Sequence, residues 1–130
     1  LLILGPSGSG KSALALQLMA HGARLVADDR TTLAARGDRL VATCPEPLRG
    51  RIEARGIGLL TADPLPEAEV ALAADLAADL AADRSAGPPG RLPPRRRKVF
   101  CGIEVELVAA PWSHHLAAAL LCYLHGGRWQ

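Results

Sequence analysis

Residues 5–12 read Gly5-Pro6-Ser7-Gly8-Ser9-Gly10-Lys11-Ser12, and no other stretch of the chain restricts its fold so tightly. The run meets the pattern G-x-x-x-x-G-K-[ST] at every fixed position. The apolar run Leu1-Leu2-Ile3-Leu4 precedes it and reads as a buried strand. Ala13-Leu14-Ala15-Leu16-Gln17-Leu18-Met19 follows and reads as a helix that stops at His21-Gly22. Strand, glycine-rich turn and helix, in that order, are the setting in which such a turn holds phosphate. The glycines let backbone N–H groups turn toward an anion with no Cβ in the way. The helix start adds its positive end. Lys11 has the reach for β- and γ-phosphate oxygens, and the Ser12 hydroxyl can ligate Mg²⁺. The expectation is nucleotide binding by Gly5, Pro6, Ser7, Gly8, Ser9, Gly10, Lys11 and Ser12. The competing reading is a glycine-rich turn that binds nothing.

The chain has 130 residues, the length of one domain with one core. Residues 1–130 are therefore read as a single domain. Apolar residues make up 49%, yet aromatics only 3%, so the core must be built from small aliphatic side chains. A net charge of +2 is too small to argue for nucleic acid or a membrane surface as partner. No apolar run reaches the roughly 18 residues of a membrane span, and Leu1–Leu4 is too short for a signal-peptide core. These features point to the cytoplasm. Cys44, Cys101 and Cys122 are odd in number and widely spaced, which suits reduced thiols better than disulfides or zinc. The histidines show no metal-ligand spacing. Because Leu1 already lies in the strand that feeds the turn, further residues are expected to precede it.

Further along, Arg24-Leu25-Val26-Ala27 reads as the next strand, with Asp28-Asp29-Arg30 at its carboxyl end. In open α/β sheets that end is where ligands bind. The pair Asp28-Asp29 is then either a carboxylate pair near the γ-phosphate or a solvated turn. Thr31–Ala35 and Arg39–Thr43 flank Arg36-Gly37-Asp38 and read as a hairpin. Leu48–Ala54 has the spacing of a short helix. In Glu53-Ala54-Arg55-Gly56-Ile57-Gly58 two glycines flank Ile57, just after a carboxylate and a guanidinium. Residues 71–80 have strong helix propensity, and Arg84–Pro94 reads as a loop. The basic run Arg95-Arg96-Arg97-Lys98 suits an anionic partner or, more blandly, a solvated face. Val99–Cys101 and Ile103–Val108 form a second hairpin across Gly102. Pro111-Trp112-Ser113 opens a final helix, His114 to Leu124, with Ser113 as N-cap and Gly126-Gly127 beyond it.

Three features now stand in order: Gly5–Ser12, Val26-Ala27-Asp28-Asp29-Arg30, and Glu53-Ala54-Arg55-Gly56-Ile57-Gly58. Together they resemble the catalytic domain of the HPr kinase/phosphorylase family. In that family a phosphate loop is followed by a V-A-D-D-R segment and then by a signature E-x-R-G-[LI]-G. The resemblance is strong over residues 1–60 and weaker beyond. It implies an α/β fold, a phosphate-loop nucleotide-binding sheet with packed helices, of the variant shared with phosphoenolpyruvate carboxykinase. It implies ATP and Mg²⁺ as cofactors, or pyrophosphate as donor. The implied partner is an HPr-like phosphocarrier protein, phosphorylated on serine, and the implied assembly is a homo-oligomer, a hexamer. Carried over residue by residue, Lys11 binds the β- and γ-phosphates, and Ser12 and Glu53 ligate the metal. Asp29, with Asp28 beside it, takes the proton of the attacking serine. Arg55 belongs to the signature segment near the phosphates, and Arg91 matches the arginine of the catalytic loop. The resemblance also implies that residues 69–76 form a strand, against their helix propensity.

The chain departs from the family pattern in three ways. Full-length members carry a separate N-terminal domain and a functional histidine upstream of the phosphate loop, neither of which is in this sequence. A longer glycine-rich segment after the signature is also missing, so the sequence resembles a short form. Three other readings compete: a kinase for a small molecule, a non-catalytic ATP-sensing module, and a fragment that cannot complete its site.

Overall fold

The computed structural model describes residues 1–77 and 95–127. In chain order these form β1 (Leu2–Leu4), α1 (Lys11–Ala20), β2 (Thr32–Arg36), β3 (Arg39–Thr43), a 3₁₀ turn (Glu46–Leu48), β4 (Arg51–Ala54), β5 (Gly58–Thr61), β6 (Glu67–Glu69), β7 (Leu72–Asp75), β8 (Arg96–Phe100), β9 (Ile103–Ala109) and α2 (Leu116–Gly126). The architecture is mixed α/β. One four-stranded sheet has the order β1-β7-β9-β8, beside a three-stranded sheet β2-β3-β6 and a β4-β5 hairpin. β1, β7 and β9 run parallel, with Leu2 opposite Ala73 and Ala73 opposite Leu107. β8 closes the sheet antiparallel to β9.

The sheet divides the core. On one face Leu14 and Leu18 of α1 meet Leu116, Ala117 and Leu120 of α2 over Leu72 and Ala74. On the other, Leu2, Ala73 and Val105 face Leu40, Ala42 and Val70 of the antiparallel layer. Leu72, Ala73 and Ala74 thus alternate between the two clusters, as the two-residue period of a strand requires. β7 is the strand that the family resemblance implied, and it overrides the helix propensity of its alanines. Ala73 and Ala74 are 0% and 2% exposed. A strand paired on both sides and covered on both faces gains more from ladder and packing than alanine loses there.

Several local expectations fail, each for a visible reason. Arg24–Ala27 forms no strand. It is irregular, with a bend at Val26, and is held by the Leu65 N–H donating to the Leu25 carbonyl at 2.8 Å. Leu48–Ala54 is no helix, because positive φ at Gly50 (75°) separates the 3₁₀ turn from β4. Ser113 is not the cap of α2: His115 occupies that position, and Ser113 Oγ lies 3.2 Å from His115 Nδ1. Both hairpins form as expected. The basic run lies largely on β8, the edge strand, where Arg97 pairs with Glu104 at 3.8 Å and Lys98 sits 5.6 Å above the Phe100 ring. Charged side chains on an edge discourage pairing with other chains, so the bland reading of that run suffices. The expected loop at Arg84–Pro94, with Arg91, lies outside the described residues.

Candidate active site

Residues 5–10 join β1 to α1 at the carboxyl end of the parallel strands. The turn is tight at its two ends. A Cβ on Gly5, at φ 150°, would lie 2.5 Å from Ser9 Oγ. A Cβ on Gly10, at φ 99°, would lie 3.0 Å from Trp112 Cβ. Between them the Ser9 N–H donates to the Pro6 carbonyl at 3.1 Å, and Pro6, Ser7 and Gly8 form an exposed tip. Gly10 caps α1 without any side-chain hydrogen bond, and the first turn holds no acidic residue. The leading N–H groups of α1 therefore have no carboxylate competing for them, which suits an anion. Lys11 Nζ donates back to the Gly5 carbonyl, folding its ammonium over the turn.

Asp28 ties the turn to the rest of the site. Its Oδ1 accepts from Ser12 Oγ at 3.3 Å, and its Oδ2 accepts from the Glu53 N–H at 3.1 Å. The irregular segment 24–27 delivers Asp28 to this point, anchored by Arg24 donating to the Pro64 carbonyl at 3.0 Å. On β4, Ile52 and Ala54 turn inward while Glu53 is exposed. The Gly5–Ser12 run, Asp28 and the backbone of Glu53 are thus brought together. Asp29 is exposed beside Asp28, and Arg55 stands exposed at the β4–β5 turn. Both aspartates and Lys11 border a cleft of about 270 Å³, whose wall is mainly aliphatic, from Ile3, Ala15, Leu18, Leu25 and Val26.

The Ser12 hydroxyl and the Asp28 carboxylate are hard oxygen donors side by side, a set that fits Mg²⁺. Among the described residues no group of three or more His, Cys, Asp or Glu side chains could hold a metal. Cys44, Cys101 and Cys122 are all free thiols. No helix among the described residues is long and apolar enough to cross a membrane. Two features escaped the sequence reading. One is the bridge that Asp28 makes, since the residues near it suggested a carboxylate beside phosphate or a solvated turn, and the family resemblance a proton acceptor. The other is Trp112, which reads as part of a helix start and gives no local sign that it touches Gly10.

The family model for the HPr Serine kinase C-terminal domain matches residues 1–66, half of the chain and the part that holds this site. The chain belongs to that family. HPr kinase/phosphorylases from Xanthomonas campestris pv. campestris (strain B100) and Xylella fastidiosa (strain M12) are each 53% identical to it over 62 residues. Those matches cover 45% of this chain and 19% of each relative, so the chain spans about a fifth of their length. The HPr(Ser) kinase/phosphatase structure from Coxiella burnetii superposes with a TM-score of 0.77 at 27% identity, covering 95% of this chain and 83% of that one. The structural match therefore carries the kinship past residue 66, into β7, β9 and α2.

Proposed function

We propose that this chain transfers the γ-phosphoryl group of ATP to a serine of an HPr-like phosphocarrier protein, with Mg²⁺, and can return it by phosphorolysis. The observation that carries the reading is the Asp28 carboxylate, which joins Ser12 to Glu53 and so gathers all three motif segments into one site. The phosphate-loop reading of residues 5–12 rests on the uncapped start of α1 and on Lys11. When nucleotide enters, Lys11 exchanges the Gly5 carbonyl for β- and γ-phosphate oxygens. The loop N–H groups hold the phosphates in place. Ser12 and Asp28, with Glu53 near, would hold Mg²⁺, which supplies charge neutralisation during phosphoryl transfer. Asp29, exposed and adjacent, takes the proton of the acceptor hydroxyl as its oxygen bonds to phosphorus and the bond to ADP breaks. In phosphorolysis an oxygen of inorganic phosphate bonds to the phosphorus of phosphoserine, the bond to the serine oxygen breaks to leave pyrophosphate, and Asp29 returns that proton to the serine oxygen. Arg55 and Arg91 are assigned to the phosphates or the acceptor.

A protein acceptor is favoured over a small polar molecule, because Asp29 is exposed and the neighbouring cleft is lined mainly by aliphatic side chains. The same reading takes residues 1–130 as one catalytic domain of the kind shared with phosphoenolpyruvate carboxykinase. It places the enzyme in the cytoplasm as a hexamer serving regulation of carbon metabolism. The test is transfer of labelled γ-phosphate from ATP to purified HPr with Mg²⁺. Phosphoserine should form with the wild type and vanish with Lys11→Ala and with Asp29→Asn. ATP binding with no transfer by the wild type overturns the proposal and leaves a nucleotide-sensing role.

A further inference from the structure

Trp112 lies between β9 and α2, outside every role assigned above. Its Cβ, Cγ and Cδ1 lie 3.0, 3.1 and 3.2 Å from the position a Cβ on Gly10 would take. The side chain is therefore flush against the backbone of the residue that starts α1. Elsewhere it packs against the helix-side core, and His114 meets its ring edge-on, with centroids 5.1 Å apart at 72°. Its Nε1 is buried without a hydrogen-bond partner among the described residues. A buried donor left unpaired is unfavourable, so the geometry uses the indole for its shape and not for its N–H.

The loop needs such a wall. Gly5, Gly8 and Gly10 all hold positive φ, and glycine surrenders more freedom on ordering than any other residue. Few contacts of its own oppose that freedom: the Ser9–Pro6 bond, the first helical bond from the Leu14 N–H to the Gly10 carbonyl at 2.9 Å, and the Lys11–Gly5 bond. The last of these is given up when phosphate arrives. We propose that Trp112 is a positioning residue, whose ring holds Gly10 and the leading N–H groups of α1 in the direction a bound phosphate requires. The proposal rests on the phosphoryl-transfer reading for its purpose, but its geometry stands apart from it.

Hydrogen exchange on the full chain tests it, with Trp112→Leu and Trp112→Phe compared with wild type. The leucine variant should speed exchange in residues 5–14 and leave β3, β7 and β9 unchanged. The phenylalanine variant keeps a flat ring and discards the unpaired N–H. It should match wild-type loop exchange and melt no lower than wild type. Calorimetry with MgADP should then show affinity reduced roughly tenfold or more in Trp112→Leu and largely kept in Trp112→Phe, the size expected of a misplaced binding group. Unchanged loop exchange in Trp112→Leu overturns the proposal. So does faster exchange throughout that variant, which would make Trp112 a core residue and nothing more. Equal MgADP affinity in leucine variant and wild type overturns it as well. If the wild type binds no MgADP, the phosphoryl-transfer reading fails, and loop exchange alone decides the role of Trp112.

Discussion

Asp28 accepts hydrogen bonds on both carboxylate oxygens, from the Ser12 hydroxyl and from the Glu53 N–H. An asparagine there keeps the shape, with its oxygen still able to accept from the Glu53 N–H and its NH₂ able to donate to Ser12 Oγ, but neither bond is then to a charged group and the charge that would hold a cation is gone. A hydrogen bond to a charged group contributes about 1.5–3 kcal/mol. Asp28→Asn should therefore weaken Mg²⁺-dependent ADP binding by on the order of tenfold or more. It should weaken metal-free ADP binding much less, since the loop N–H groups and Lys11 remain. Calorimetric titration with and without Mg²⁺ reads the difference. Equal losses in both conditions would move Asp28 from the metal side of the site to a purely structural bridge. The carboxylate pair was visible in the sequence. The different settings of its two members were not, because only the approach of β4 to α1 puts an N–H on one oxygen of Asp28 and leaves Asp29 exposed.

β7 shows most clearly how an element can defy its local sequence. Its alanines favour helix, yet β1 and β9 pair with it on either side and both faces are covered. The small side chains let the helical layer and the antiparallel layer approach the same strand. Ala73→Leu should therefore overpack the face shared with Leu40, Ala42 and Val105, lowering stability by about 1–3 kcal/mol. Urea unfolding gives the number, and an unchanged midpoint would mean that this face is slack. By contrast α1 and both hairpins were legible, since apolar spacing and turn glycines are local signals. The segment 24–27 was misread because its apolar residues satisfy the core without any ladder: Leu25 is buried and Val26 packs among the residues around Ala73.

Over the whole molecule, stability comes from the two clusters astride the four-stranded sheet and little from the charged surface. Leu14 is fully buried between the helices and β7, so Leu14→Ala should cost about 2–5 kcal/mol. Arg36 meets Glu67 at 2.8 Å, but those side chains are 56% and 50% exposed. Arg36→Ala should cost less than about 1 kcal/mol. Denaturant unfolding of the two variants side by side checks the contrast, and comparable losses would contradict it. The sequence by itself determined the glycine-rich turn between strand and helix, the hairpins, and the oxygen and ammonium groups that phosphate chemistry needs. Each of those is written within a few neighbouring residues, where sterics, turn conformation and side-chain chemistry act locally. Local propensity did not determine the alanine-rich strand, which the family resemblance implied and the tertiary contacts explain, and only the tertiary structure decided that Asp28 reaches both Ser12 and Glu53. It also decided that Trp112 stands against Gly10. These depend on contacts between residues far apart in the chain, whose energies appear only when the layers close on one another.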